Sequence, residues 1–284
     1  MHSAKIINGK LLADEILASL KQKIAEATHK GTRPPGLCTV LVGEDPASQI
    51  YVHNKNKQAA SIGIKSFHKN LSQNTSQSDL VALIHELNEN PEIDGILVQL
   101  PLPAQIDPQA ILEAISPNKD VDGFHPENVG LLSIGKPRFI PCTPKGCLLL
   151  AQSTGISLLG AHAVILGRSN IVGKPMTQLL LNSEATVTVC HKNTQDLKTF
   201  TRQADLLITA TGSPHLIKAD FVKPGAVVLD IGITRLPNGK IVGDADTEAL
   251  LPIVKAITPV PGGVGPMTLA MLMENTHQAY QMST

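Results

Sequence analysis

A strand, a glycine-containing turn and a helix follow one another directly in segment 161–184. Residues 162–166 form a short apolar run rich in branched side chains, which is typical of a central parallel strand. A polar turn begins at Gly167, and apolar residues then recur every three or four positions, with Pro175 where a first helical turn tolerates proline. This order indicates a parallel α/β sheet.

The turn from Gly167 to Ser169 is a candidate phosphate site, because the N–H groups and the dipole at a helix start attract anions. It departs from the dinucleotide fingerprint G-x-G-x-x-G, since Ser169 replaces the second glycine and Gly173 comes one residue late. An ordinary strand-to-helix connection that needs one glycine at positive φ would give the same pattern. The turn alone leaves both interpretations open.

Helical and strand patterns alternate along the rest of the chain. The predicted strands lie at 37–42, 64–71, 95–100, 162–166, 186–190, 205–210 and 226–231, with a short strand near 257 and a hairpin at 236–241. The predicted helices lie at 9–30, 45–62, 78–90, 107–116, 143–155, from 172 onwards, 247–255 and 267–280, and 118–138 is a long polar loop. We therefore predict two α/β domains, 1–141 and 142–284, the second a Rossmann-like parallel sheet. The C-terminal helix is expected to pack back on the first domain.

Charge and composition argue against several classes of partner. The 24 basic and 24 acidic residues give a formal net charge of zero, so no overall field attracts nucleic acid or an anionic membrane. Aromatic residues, at 2%, leave few surfaces on which bases could stack. No apolar run approaches the roughly 18 residues of a membrane span, and the N-terminus lacks a signal-peptide pattern, so we expect a cytoplasmic protein. The four cysteines show no C-x-x-C pairing, which favours buried thiols over a metal site.

Basic residues in the second half indicate the cofactor. NAD-binding sheets normally end their second strand in an acidic residue, about 20 positions after the glycines, that binds the ribose 2′-OH. Here strand 186–190 is followed by Lys192 without a carboxylate. Lys192 and Arg168 favour a 2′-phosphate and hence NADP, although Lys192 also fits an ordinary solvated lysine. Thr211 and Gly212, after the next strand, are predicted to lie against the cofactor.

Tyr51 and Lys55 share one face of the helix predicted at 45–62. Such residues are usually solvated, but a lysine whose pKa is lowered by burial or by a second cation such as Lys57 can carry a proton. Gln99 lies at the carboxyl end of a predicted strand, where α/β proteins bind ligands. These residues are the candidate catalytic groups.

Six short motifs extend over nearly the whole chain. They are Tyr51-Val52-x-x-Lys55-x-Lys57, Gln99-Leu100-Pro101-Leu102-Pro103, Lys119-Asp120-Val121-Asp122-Gly123, Pro141-Cys142-Thr143-Pro144, Gly167-Arg168-Ser169-x-x-Val172-Gly173-x-Pro175 and Pro261-Gly262-Gly263-Val264-Gly265-Pro266-Met267-Thr268. In type and order they closely resemble the motifs of the bifunctional methylenetetrahydrofolate dehydrogenase/methenyltetrahydrofolate cyclohydrolase family. The chain resembles the short form, without a formyltetrahydrofolate synthetase domain.

The resemblance implies that the first half binds folate and the second binds NADP, with the active site in a cleft between them, and that the enzyme is a homodimer. Hydride would pass from the methylene carbon to the nicotinamide, and water would then attack the methenyl carbon. The matched lysine, Lys55, would move the protons, helped by Gln99 and Tyr51. Asp122 would hydrogen-bond the pterin ring.

The same resemblance assigns the remaining binding residues. Pro261, Gly262 and Gly263 would border the folate, and the backbone at Ile233 would contact the nicotinamide. Members of the family vary at the position of Lys192, so the strength of the preference for NADP over NAD stays open.

Two other functions compete with this one. A two-domain NADP oxidoreductase of the shikimate or quinate dehydrogenase kind would share the architecture, but it predicts a regular glycine fingerprint, which Ser169 breaks, and a Lys/Asp catalytic pair. A folate-binding regulatory protein without activity would not need four polar residues to be retained together, namely Tyr51, Lys55, Gln99 and Asp122.

Overall fold

The computed structural model describes residues 4–283 and divides them into two compact units. Unit 1 comprises residues 4–14 and 143–268, and unit 2 comprises residues 15–142 and 269–283. The change of unit after residue 142 lies one residue from the predicted domain boundary. Residues 4–14, which the sequence interpretation placed with the first half, belong to unit 1.

The secondary structure follows the predicted alternation. In chain order the strands are β1 (Lys5–Ile6), β2 (Gly36–Val42), β3 (Lys65–Leu71), β4 (Gly95–Val98), β5 (His162–Leu166), β6 (Thr186–Cys190), β7 (Leu206–Thr209), β8 (Val227–Asp230), β9 (Thr234–Arg235), β10 (Ile241–Val242) and β11 (Ala256–Ile257). The helices are α1 (Gly9–His29), α2 (Pro46–Ser61), α3 (Gln77–Glu89), α4 (Pro108–Ala114), α5 (Pro126–Ser133), α6 (Cys142–Gln152), α7 (Gly173–Asn182), α8 (Leu197–Thr201), α9 (Thr247–Leu250) and α10 (Val264–Ser283).

Unit 1 is built on a six-stranded sheet in the order β1-β11-β8-β7-β5-β6, and every pairing in it is parallel. The central strand β5 is apolar because both of its faces are covered, and Val164 and Ile165 are fully buried. The chain leaves β5 towards β6 on one side and returns to β7 on the other. Parallel sheets bind ligands outside the carboxyl ends of the strands at such a switch in strand order.

Unit 2 contains a three-stranded parallel sheet in the order β3-β2-β4. All seven residues of the middle strand β2 are buried. Helices α3 and α4 cover one face of the sheet, with Leu80, Ile84 and Ile111 in the core. The predicted fold class, two α/β units with a parallel Rossmann-like sheet in the second half, is confirmed.

Four elements differ from the sequence prediction. Helix α5 lies inside the segment predicted as a polar loop, because His125 caps it, Pro126 opens it and Leu132 is buried beneath it. Helix α9 ends at Leu250, earlier than the predicted 255, and α10 begins at Val264, earlier than the predicted 267. Strand β1 was not predicted, since a two-residue strand has no periodicity and forms only through its pairing with β11.

Within residues 4–283, the helices are all too short or too polar to cross a membrane. The same residues contain no group of three or more His, Cys, Asp or Glu side chains placed to hold a metal ion. The four cysteines are buried.

Candidate active site

Lys55 and Gln99 meet in unit 2, where the Lys55 ammonium donates a hydrogen bond to Gln99 Oε1 at 3.0 Å. Lys55 is half-buried on α2, whose start is fixed by Asp45, which accepts a hydrogen bond from Ser48 N–H at 2.7 Å. Gln99 follows β4 directly, and its Nε2 donates to Leu100 O at 2.6 Å. That bond turns the amide oxygen towards the lysine. Lys55 is therefore a directed side chain and not an ordinary solvated one.

Asp122 lies close enough to Lys55 for their charges to interact. Burial raises the pKa of the Asp122 carboxyl, the positive charge of Lys55 lowers it, and the nearby charge of Asp120 raises it, so that the net shift is upward. The segment before Asp122 extends the sheet, since Ile96 N–H donates to Lys119 O at 2.8 Å. A lysine, an amide and a carboxyl group thus form one cluster, which we call the lysine cluster.

Tyr51 lies one helical turn before Lys55 on α2, as the spacing predicted, and is 50% exposed. Lys57, the second cation that the sequence suggested, is exposed. The lysine cluster can bind a polar ring through Asp122 and move a proton through Lys55, and Tyr51 lies beside it at the surface.

A pocket of about 450 Å³ opens in unit 1 at the carboxyl ends of β5, β6 and β7. Its lining brings together four of the predicted cofactor residues: Gly167, Arg168, Lys192 and Thr211. Its position outside the strand ends, where the strand order switches, is the one expected of a nucleotide site.

Two glycines allow the turn after β5 to pack closely. Gly167 has φ +118°, and a Cβ there would lie 2.6 Å from Ala210 O. A Cβ on Gly173 would lie 2.1 Å from Gly167 O, so the glycine that the sequence places one residue late is also required. An ordinary connection would need one glycine, whereas this turn needs two. The extra glycine serves a close approach of backbone to backbone.

Ser169 accepts hydrogen bonds from backbone N–H groups at the start of α7, which the sequence analysis expected to be free to bind phosphate. Its Oγ accepts from Val172 N–H at 3.2 Å, and its carbonyl accepts from Lys174 N–H at 3.0 Å. These donors at the start of α7 are bound within the turn. Positive charge at the pocket therefore comes from Arg168 and Lys192, whose side chains are both exposed.

The other predicted binding residues also lie in unit 1. Gly212 has φ +67° next to Thr211, and Ile233 is 54% exposed after β8. The loop 261–263 is held against the start of α1: Lys10 N–H donates to Gly262 O at 3.1 Å, and a Cβ on Gly9 would lie 1.9 Å from Gly263 O.

Two buried aspartates that the sequence analysis did not single out hold the backbone that follows β7 and β8. Asp244 accepts from Thr211 N–H at 2.6 Å and from Ser213 N–H at 2.9 Å. Asp230 accepts from Gly232 N–H at 2.9 Å, just before Ile233. The only signal in the sequence is a carboxylate close to a glycine at each place, which is too common to be decisive.

Comparison with known proteins covers both halves of the chain. The protein-family model for the tetrahydrofolate dehydrogenase/cyclohydrolase catalytic domain matches residues 7–122. The family model for the NAD(P)-binding domain of the same family matches residues 141–284. The bifunctional protein FolD of Acetivibrio thermocellus is 52% identical over 279 residues, which are 98% of this chain and 98% of the relative.

Solved structures agree with these matches. The bifunctional methylenetetrahydrofolate dehydrogenase/cyclohydrolase FolD of Campylobacter jejuni superposes with a TM-score of 0.96 at 50% identity, covering 99% of this chain and 100% of that one. The Trypanosoma brucei methylenetetrahydrofolate dehydrogenase-cyclohydrolase, solved with NADP and an inhibitor, gives a TM-score of 0.96 at 38% identity, covering 100% and 99%. These matches decide against the shikimate dehydrogenase kind. The chain belongs to the tetrahydrofolate dehydrogenase/cyclohydrolase family.

Proposed function

We propose that this chain oxidises 5,10-methylenetetrahydrofolate with NADP and hydrolyses the methenyl product to 10-formyltetrahydrofolate. The observation that carries the proposal is the 3.0 Å hydrogen bond from Lys55 Nζ to Gln99 Oε1, within the charge field of Asp122. A binding protein without activity has no need of a lysine held in this way.

Oxidation needs alignment more than it needs a base. The lone pairs of N5 and N10 stabilise the positive charge that develops on the carbon between them, so positioning supplies most of the rate. NADP, when bound, accepts the hydride from that carbon. Asp122 fits the role of orienting the substrate, because a carboxylate accepts hydrogen bonds from the N–H groups of a pterin ring.

Hydrolysis needs a group that moves protons. Water adds to the methenyl carbon and gives up both of its protons as its oxygen becomes the formyl carbonyl. One proton goes to N5 as the bond between N5 and that carbon breaks, and the other is released. Lys55 is the group of unit 2 that we assign to these transfers. Gln99 holds its Nζ in place, and Tyr51, one turn away on the same helix, assists at the surface.

The pocket of unit 1 fits the cofactor. It lies outside the carboxyl ends of β5, β6 and β7, where a parallel sheet binds a nucleotide, and Gly167 of the turn after β5 lines it. Arg168 and Lys192 offer two cations for a 2′-phosphate, which favours NADP over NAD. Within this proposal Thr211 and Gly212 contact the cofactor and Ile233 the nicotinamide, while the loop 261–263 borders the folate.

Lys55→Met tests the mechanism, with Lys57→Met as the matched control on the same helix. Methionine is similar in length but carries no proton, so cyclohydrolase activity should fall by about 10² to 10⁴ while dehydrogenase activity stays measurable. Methenyltetrahydrofolate should accumulate in the coupled assay, and Lys57→Met should behave as wild type. Wild-type hydrolysis in Lys55→Met would remove this residue from the mechanism. Equal loss of both activities with a lower melting temperature would assign it a structural role.

That the enzyme is a homodimer and that it is located in the cytoplasm stay predictions. That it binds folate derivatives and not nucleic acid also stays a prediction.

A further inference from the structure

We propose that Asp244 is a positioning residue for cofactor binding, whose carboxylate fixes the turn 209–213 as one wall of the unit 1 pocket. Asp244 lies outside that pocket and is fully buried. The inference rests on the NAD(P)-binding domain of the family and not on the proposed folate chemistry.

Three donors of the turn converge on the two oxygens of Asp244. Oδ2 accepts from Thr209 Oγ at 2.9 Å and from Thr211 N–H at 2.6 Å, and Oδ1 accepts from Ser213 N–H at 2.9 Å. Thr211 and Ser213 line the pocket, whereas Thr209 is the last residue of β7 and is buried. One side chain thus links the end of the strand to the pocket wall.

Asp230 in turn holds Asp244. Its Oδ1 accepts from Asp244 N–H at 3.1 Å, and its Oδ2 accepts from Ala245 N–H at 2.8 Å. Close packing enforces this arrangement, since a Cβ on Gly243 would lie 2.0 Å from Asp230 Oδ2 and a Cβ on Gly232 would lie 2.2 Å from Asp244 Oδ1. The two aspartates therefore have little room to reorient.

The carboxylate is chemically suited to this task. An ionised carboxylate only accepts hydrogen bonds, and all three groups facing Asp244 are donors. An asparagine has one acceptor oxygen and would turn its NH₂ towards at least one of these donors. The turn of an Asp244→Asn variant would therefore spend part of its time in other conformations.

If the pocket wall is formed only part of the time, every ligand that contacts it binds with lower affinity. The apparent Kd rises by the inverse of the fraction of molecules with the wall in place. Hydrogen bonds to charged groups are strong enough that losing one should raise the Kd by about 10- to 100-fold. The wall is common to both cofactors, so NADP and NAD should be affected by the same factor.

The experiment measures the Kd of NADP and NAD by titration calorimetry on the full chain without folate, for wild type, Asp244→Asn and Lys192→Ala. We expect Asp244→Asn to weaken the binding of both cofactors by the same factor and to speed hydrogen exchange at the Thr211 and Ser213 amides. Lys192→Ala should weaken the binding of NADP alone. Hydrolysis of methenyltetrahydrofolate, which consumes no cofactor, should persist in Asp244→Asn and reports that the chain is folded.

Unchanged Kd values in a folded Asp244→Asn variant, or a loss confined to NADP, would overturn the proposal. So would a lower melting temperature with normal binding, since that is the result of a purely structural role. If Asp244→Asn loses hydrolysis as well, Thr209→Val decides the matter, because it removes one donor and leaves the carboxylate intact. It should weaken both cofactors several-fold, and unchanged affinities would overturn the proposal.

Discussion

The side chain of Asn275 connects the C-terminal helix to the segment that carries Asp122. Asn275 is fully buried on α10, and its Nδ2 donates to Val121 O and to Ile140 O, both at 2.9 Å. Val121 directly precedes Asp122. An Asn275→Ala variant removes both bonds and leaves the buried Val121 carbonyl and the half-buried Ile140 carbonyl short of a donor.

The size of the effect follows from these two acceptors. An unsatisfied buried polar group costs about 1 to 3 kcal/mol, and Val121 O keeps a weak donor in the Cys142 thiol, whose Sγ lies 3.5 Å away. We therefore expect the free energy of unfolding to fall by about 2 to 4 kcal/mol. Domains are typically stable by about 5 to 15 kcal/mol, so the variant should still fold.

Thr276→Val is the matched control. Thr276 is equally buried and adjacent, but within residues 4–283 the hydrogen bond of its hydroxyl goes to Leu272 O of the same helix. We expect this variant to lose about 1 kcal/mol or less. Urea denaturation of both variants and of wild type gives the two differences directly.

Activity provides the second measurement. Because Val121 and Asp122 are consecutive, loss of the Asn275 bonds should loosen Asp122 and raise the KM for folate in both reactions of Asn275→Ala, whereas Thr276→Val should keep the wild-type KM. If the free energy of unfolding of Asn275→Ala differed from that of wild type by less than about 0.5 kcal/mol, the two carbonyl acceptors could not depend on Asn275. If its stability fell while KM stayed normal, the segment would be held by other contacts.

Two further predictions concern charge in unit 1. Lys192→Ala and Arg168→Ala should each weaken NADP by about 10- to 100-fold and leave NAD nearly unchanged, because a charge-assisted hydrogen bond contributes about 1.5 to 3 kcal/mol; equal losses for the two cofactors would contradict this. Burial raises the pKa of Asp230 from 3.8 to about 6, so between these values the folded chain keeps a proton that the unfolded chain has lost. Relative to Asp230→Asn, wild type should therefore lose about 1 kcal/mol of unfolding free energy between pH 5 and pH 7, and a gain over that range would refute the assignment.

Local signals in the sequence predicted most of the fold. Helix α2 has an N-cap at Asp45, a proline at its first position and an αL stop at Gly63, and the structure shows all three. Strands β5 and β6 were predicted to the residue, because each is a short run rich in branched side chains between polar breaks. Such features depend on neighbouring residues, which is why sequence patterns reveal them.

The sequence patterns could not predict contacts between residues that are far apart in the sequence. Asn275 bonds to a carbonyl 154 positions away, and Asp244 accepts from donors 31 to 35 positions earlier. An asparagine inside a helix and an aspartate after a short strand have no periodicity that marks them. The family motifs supplied Lys55, Gln99 and Asp122 as separate residues, and the hydrogen bond and the charge interaction that join them came from the structure.

The replacement of the second fingerprint glycine by Ser169 changes how the unit 1 pocket presents positive charge. A glycine at that position normally lets the backbone approach the pyrophosphate. Here Ser169 accepts hydrogen bonds from the N–H groups of Val172 and Lys174 instead, so these donors are bonded within the turn. The remaining positive charge is carried by the exposed side chains of Arg168 and Lys192. Because neither side chain takes part in these bonds, we expect substitutions at Arg168 or Lys192 to change the proposed preference for NADP over NAD without breaking the bonds of the turn.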